Sequence, residues 1–460
     1  MSTFSGINTA RRALSAAQLG METTGQNIAN VNTDGYSRQR VEQSASVLNQ
    51  TGQFSQKFVP GDGVVVTGLT RVSDALATAT ARQDSAAAQE QATAATIWSG
   101  VENAVGDTGA SGLSKNLADL SSAWNDLASK SGTDGLAAAQ SLVVTRSQTV
   151  VTQVAGMSSQ LESQYDQLGL QAQTQVSQAN TVAKNIAKLN TGIRETVANG
   201  ASPNELMDQR DQLLSQLSNL TGSRVVNRDN GTVDVFVGNA TIVTGDFSYD
   251  LEVHATNGAT PPVTVDPGAA IIGNPLVATI GGQVAGPVTG SLKATLDGVN
   301  KTLVDQKTNL DTFAQSLAGK VNTAYGQPFF ANSDGTTPIV ASKITLAATA
   351  NPLRDSTAIT GDGSSDRVYA KAVSGAFADV KSTWRTNVAN LAASTQSASN
   401  RADLASQVSL KSSAVAEGVS GVNLDEEMTN LVAYQHAYSA AAKVLTTMDE
   451  ALDALLNMVR

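Results

Sequence analysis

Asn423-Leu424-Asp425-Glu426-Glu427-Met428 opens the stretch that decides the fold, because from Leu424 onward Leu431, Tyr438, Leu445, Leu452 and Val459 follow at seven-residue steps. Tyr434, Ala441, Met448 and Leu455 fill a second line of the same repeat. Two apolar lines at that spacing describe a helix with one seam for another helix. Its start is also marked. Asn423 can cap, Glu426 stands at the third helical position of a capping box, and Asp425 to Glu427 place negative charge at the positive pole of the helix.

The other end of the chain carries a matching pattern. Ile7, Leu14, Met21 and Ile28 fall on one heptad line, with Ala10, Ala17, Thr24 and Val31 on the next. The pattern stops at Asn30, Asn32, Asp34 and Gly35, residue types that end helices and start turns. Two seams of this kind call for partner helices. Pairing the two ends with each other would cover one stripe on each, so the expectation is that they fray in the free monomer and become ordered on assembly.

Between the ends the pattern is irregular or β from Val41 to Arg71, then helical from Ser73 to about Leu220, with breaks at Gly106 to Gly112 and Gly132 to Gly135. Ser202, Pro203 and Glu205 read as a capping box opening a helix that Gly222 closes. Val233, Val235 and Val237 alternate after an Asn230-Gly231 hairpin turn, which marks a β insert. Helix returns with Leu292, Leu296, Val299, Leu303, Leu310, Phe313 and Leu317, and again from Asp366. Trp98, Trp124 and Trp384 lie in helical stretches and read as core anchors.

Composition narrows the function. The 460 residues include no cysteine and two histidines, which excludes disulfides, thiolate nucleophiles and cysteine-ligated metals. A net charge of −10 offers no electrostatic footprint for nucleic acid or an anionic membrane. No run approaches the ~18 apolar residues of a membrane span. Arg11 and Arg12 precede a segment broken by Ser15 and Gln18, so no cleaved signal peptide is expected. His436 falls on the outer face of its helix, and His254 has no recognisable catalytic neighbours. Gly61-Asp62-Gly63 precedes a valine run rather than a helix and reads as a turn, while Asp362-Gly363-Ser364-Ser365-Asp366 lacks the glutamate of a calcium loop. No catalytic residue, cofactor or metal site is expected.

Asn27-Ile28-Ala29-Asn30-Val31-Asn32-Thr33-Asp34-Gly35-Tyr36-Ser37-Arg38-Gln39 resembles the N-terminal signature of bacterial flagellar axial proteins. Its Gly-Tyr-Ser-Arg-Gln ending is similar to the hook-associated protein 1 family. Ser420 through Met428, Tyr434-Gln435 and Leu455-Leu456-Asn457 resemble that family too, as do Asn204 to Leu214 and Asp229 to Val235. The resemblance is poor over roughly Phe247 to Gly290. Asn27, Asn30, Asn32, Thr33, Gly35, Tyr36, Ser37 and Arg38 are the signature positions it carries over.

A mainly α fold with a β insert is expected, arranged as a discontinuous, elongated, multidomain rod. Residues 1–45 and 416–460 would form a terminal coiled-coil axial domain, 46–223 and 290–415 a helical rod, and 224–289 an outward-facing β-rich insert. The resemblance implies a structural, non-enzymatic component of the flagellum that polymerises at the hook–filament junction. The assembly seam is expected to comprise Ile7, Leu14, Met21, Ile28, Leu424, Leu431, Tyr434, Tyr438, Leu445, Met448, Leu452, Leu455 and Val459. The implied partners are further copies of the chain, the hook protein, the third hook-associated protein, and an export chaperone on the segment Leu431 to Val459. Type III export to the cell exterior without a cleaved signal is implied as well. Another axial protein, either the hook protein or the third hook-associated protein, is the near alternative. A secreted coiled-coil adhesin or effector using the β insert for binding is the distant one.

Overall fold

The glycine-rich breaks read from the sequence fall where helices end. In a computed structural model that describes residues 3–46, 63–107, 112–130, 135–255, 275–350 and 365–459, helix α2 runs Ala75–Val105, α3 Leu113–Ser129 and α4 Leu136–Ala198. Asp74 caps α2 by accepting from the backbone N–H groups of Leu76 and Ala77 at 2.8 and 3.1 Å, and Gly106 ends it in the left-handed conformation. Helix α5 covers Asn204–Thr221 and stops at Gly222. Its start differs from the expected capping box. Pro203 sits at the cap position, no side chain caps the helix, and the Glu205 carboxylate is drawn to a distant partner described below.

Strands occupy the stretch that follows. β3 (Arg224–Asn227) turns through Asn230-Gly231 onto β4 (Val233–Val237), and β5 (Ala240–Thr244) and β6 (Phe247–Ser248) complete an antiparallel sheet. β7 (Leu251–Ala255), β8 (Leu276–Ile280) and β9 (Gln283–Val284) form a second antiparallel sheet. The alternation is physical. Val233, Val235 and Val237 are buried, and they join the same apolar core as the helices. Asn190 of α4, itself fully buried, donates to the carbonyls of Val233 and Gly245 at 2.9 and 2.7 Å and accepts from the Val233 N–H at 3.2 Å. The sheet is therefore fastened to the helix by one buried amide that bonds three of its backbone groups.

Helix α6 (Ser291–Asp297) continues through a π-turn at Gly298–Thr302 into α7 (Leu303–Tyr325). Every residue of the heptad expected there, from Leu292 to Leu317, is buried. β10 (Phe330–Asn332) and β11 (Ile344–Leu346) make a short hairpin before α8 (Ser365–Ser420). Trp384 of α8 lies 4.9 Å from Phe313, and Trp124 meets Phe329 edge-on at 5.3 Å, so both anchor the helical core; Trp98 lies at its margin, partly buried.

The two ends come together. α1 (Thr3–Ala29) runs antiparallel to α9 (Leu424–Val459), and the hairpin of β1 (Gln39–Ala45) and β2 (Val64–Arg71) sits at the foot of the pair. The fold class is thus mainly helical with small sheets. The turn at 61–62 and the stretch 362–364 lie outside the described residues, as do the side chains of Leu455 and Val459. Among the described residues no helix is long and apolar enough to cross a membrane.

Candidate terminal-helix interface and its polar knot

Glycine sets the register of the terminal pair. A Cβ on Gly6 would stand 2.9 Å from Met448 Cε, and one on Gly20 would stand 2.6 Å from the Tyr434 ring. Asn27 meets Glu427 one heptad further along. Each forward step on α1 is matched by the same step backward on α9, so the bulky residues of α9 lodge in notches where α1 has no side chain. Glycine inside a helix costs roughly 1 kcal/mol relative to alanine, and here that cost is offset by close approach.

Of the two lines expected on α1, the second, with Ala10, Ala17 and Thr24, is the one that faces α9. The buried line of α1 is Ala10, Ala16, Ala17, Gly20, Thr23, Thr24 and Asn27, whereas Ile7, Leu14, Met21 and Ile28 remain partly exposed along its flank. Small residues win the centre because they let the helix axes come closer than leucine permits. On α9 the expected lines hold better. Leu431, Tyr434, Tyr438, Ala441, Leu445, Met448 and Leu452 are buried or half-buried, but Leu424 is 46% exposed. Met428, Val432 and Val444 also present apolar surface outward. His436 is exposed.

At the foot of the pair the signature folds into a buried polar knot. Asn27, 1% exposed, donates from Nδ2 to the Gln39 carbonyl and to Glu427 Oε2, both at 2.9 Å. Its Oδ1 accepts from the Tyr36 hydroxyl and the Gln39 N–H, again at 2.9 Å. Arg38 reaches Glu426 Oε2 at 2.7 Å and Glu427 Oε1 at 2.9 Å, and its own N–H donates to the Ser420 carbonyl at 2.9 Å. Half of the expected capping box at α9 is present: Asn423 Oδ1 accepts from the Asp425 N–H at 3.0 Å. Glu426 does not complete it, because the guanidinium competes better than a local amide.

The other side of the knot is α5. Gln39 Nε2 donates to Glu205 Oε1 at 3.2 Å, Asn204 Nδ2 donates to Gln39 Oε1 at 3.1 Å, and the Ser37 N–H donates to Asp208 Oδ2 at 3.2 Å. Arg71 holds Asp208 at 3.3 Å and Asp211 at 2.6 Å. Gln212 donates to the Asp34 carbonyl beside Gly35, whose φ of 76° is open to glycine and costly to other residues. Burial, then the negative charges of Asp208, Glu205 and Glu427, push the Tyr36 hydroxyl up to about 12. Burial also raises the Asp208 carboxyl, against the pull of Arg71.

The signature residues thus divide in two. Thr33 donates to Asn30 Oδ1 at 3.2 Å and Asn32 is exposed, so these shape the turn, while Asn27, Tyr36, Ser37 and Arg38 enter the knot. Residues 27–39, 204–212 and 420–427, far apart in sequence, are one cluster in space. Arg71 was not singled out by any motif; its only sequence signal is a lone cation ending a β segment. The cluster offers hydrogen bonds and charge pairs, with no nucleophile activated by a base, and its chemistry is that of a fastening.

Comparisons with known proteins place the chain in a family. The family described as flagellar hook-associated protein FlgK helical domain matches residues 98–337. The flagella basal body rod protein family matches 7–36, and the C-terminal family of the rod proteins FlgEFG matches 418–458. Flagellar hook-associated protein 1 of Bacillus subtilis is 28% identical over 99% of this chain and 98% of its own. The protein of the same name from Salmonella typhimurium is 28% identical over 98% of this chain and 99% of its own. The solved flagellar hook junction protein FlgK from Burkholderia pseudomallei aligns over 58% of this chain and 46% of its own, at 24% identity and a TM-score of 0.43. With more than half of its length matched by the helical-domain family, the chain belongs to the flagellar hook-associated FlgK family, structural components of the bacterial flagellum.

Proposed function

We propose that this chain forms the hook–filament junction by polymerising through its terminal helices. One observation supports the reading above others. Small residues make the α1 side of its contact with α9, leaving Ile7, Leu14, Met21 and Ile28 partly exposed on one flank and Leu424, Met428 and Val432 exposed on the outer face of α9. Apolar side chains aligned along two helices and left partly or wholly exposed are stabilised by neighbouring subunits. The relatives are named for association with the hook, which points the same way.

The partners on either side are then the hook protein and the third hook-associated protein, and the chain acts outside the cell after export without a cleaved signal. Before assembly, α9 from Leu431 to Val459 is the segment an export chaperone covers, since Val432, Val444, Leu456 and Met458 present apolar surface on it. Pull-down of the chaperone with the full chain and with a chain lacking 431–459 tests that part. Deleting 445–460 tests the main one: loss of junction assembly with secretion intact supports it, and unchanged assembly refutes it. A null strain that keeps intact hooks and releases unpolymerised filament protein fits the junction role; a hookless strain fits the hook protein instead.

A further inference from the structure

Behind the knot lies a cleft of about 570 Å³, bounded by β2, the first turns of α2 and α5, and the turn between β3 and β4. Four arginines line it, Arg71, Arg82, Arg210 and Arg228, with Asp211 the one acidic residue among its walls. That is a concentration of positive charge in a chain whose net charge is −10. Two of the four are spent on carboxylates, Arg71 on Asp208 and Asp211, and Arg228 on Asp234 at 2.6 Å.

The other two are not. Arg210 is 6% exposed; its Nη1 donates to Asn190 Oδ1 at 3.2 Å and to the Gly231 carbonyl at 2.7 Å, while its buried Nε has no partner. The buried Nε of Arg82 is equally unpartnered, and among the described residues no carboxylate lies within ion-pair distance of it. Burial lowers both guanidiniums from the usual arginine range, and Asp211 pulls the other way on each. A third, independent feature converges on the same space: Ser202, Pro203 and Asn204 line the cleft at the start of α5, which no side chain caps. An uncapped helix start presents unpaired N–H groups and the positive pole of the helix.

We propose that this cleft binds an oxyanion, held by the Arg82 and Arg210 guanidiniums with the amides at the start of α5. Buried guanidinium donors without acceptors are costly, and an oxyanion supplies acceptors and charge together. The oxyanion is either free inorganic phosphate or a carboxylate borne by another copy of the chain. Occupancy ties α2, α5 and the β3–β4 turn together next to the knot, so a ligand that binds the folded state raises its melting temperature.

The test uses the full chain, with melting followed by circular dichroism and heats by calorimetry. Inorganic phosphate is titrated in one arm and glutarate in the other, each against sodium chloride at matched ionic strength. The expected result is a saturable rise in melting temperature, with the apparent Kd weakened about tenfold or more by Arg82→Gln and left unchanged by Arg385→Gln, which lies outside the cleft. Arg82→Lys, which keeps the charge and loses the fork, is the second variant and gives an intermediate weakening. A response to phosphate alone assigns the free anion; a response to glutarate alone assigns a carboxylate from a neighbour. No saturable response in either arm, or one that both Arg82 variants leave intact, overturns the proposal.

Discussion

Asn27 and Glu427 stand 400 positions apart and share a buried hydrogen bond of 2.9 Å, with the Glu427 side chain only 2% exposed. The two ends of the chain meet through that bond. Glu427 has two partners, the Asn27 amide and the Arg38 guanidinium, and the amide has no substitute. Asn27→Ala removes two donated and two accepted hydrogen bonds and leaves the Tyr36 hydroxyl and one Glu427 oxygen short of a partner. The expected loss is about 2–4 kcal/mol in urea unfolding of the purified monomer. A change below about 0.5 kcal/mol, the size of an ordinary surface substitution, would show that the knot is not a fastening.

Gly20 and Gly25 lie on the same helix and make opposite predictions. A Cβ on Gly20 runs into the Tyr434 ring, whereas one on Gly25 meets nothing within 4 Å. Gly25→Ala is expected to stabilise the monomer by about 0.5–1 kcal/mol through the backbone entropy of the unfolded chain. Gly20→Ala is expected to destabilise it, because Tyr434 must leave its notch. Thermal unfolding of the two variants side by side reads the sign of each, and equal gains would remove the close-approach argument.

Much of this arrangement was legible in the sequence. From Leu431 to Leu452 the α9 lines are buried or half-buried at the seven-residue spacing, and the Asn230-Gly231 turn joins the strands it announces. On α1 the small-residue line was legible at Ala10, Ala17 and Thr24, which are buried, but the notches at Gly6 and Gly20 were not, since heptad reading weighs side chains that are present and the contact there depends on the absence of one. The capping boxes at Glu205 and Glu426 failed for different reasons. Pro203 stands at the α5 cap and has no N–H for Glu205 to reach, so that carboxylate accepts from Gln39, whereas Glu426 is taken by the Arg38 guanidinium. The knot itself was visible only as three separate quotations from a family signature, because hydrogen bonds across hundreds of residues leave no periodic trace.

High pH probes the knot through Tyr36. Its hydroxyl titrates near 10 when unfolded and is pushed up to about 12 in the folded chain by burial and by Asp208, Glu205 and Glu427. A group whose folded value is raised contributes stability that is present below the unfolded value and is lost as pH rises through the folded one. The wild type should therefore lose stability between pH 10 and about 12 more steeply than Tyr36→Phe. Matching slopes for the two proteins over that window would place Tyr36 outside the knot.

The flank of α1 separates folding from assembly. Met21→Asp puts a charge on a partly exposed position beside the α9 contact, so the monomer should stay within about 1 kcal/mol of wild type. Junction formation, scored by retention of filament on hooks, should be lost. Retained filaments with that variant would move the assembly surface away from α1.

Hydrogen exchange on the secreted monomer and on the assembled junction tests the central claim most directly, that the terminal helices are completed by neighbouring copies. The small-residue contact and the uncovered flanks predict weak amide protection at Leu14 and Leu445 in the monomer, rising strongly on assembly, while residues near Asn27 are protected in both. Strong protection at Leu14 and Leu445 in the monomer without any partner would contradict it.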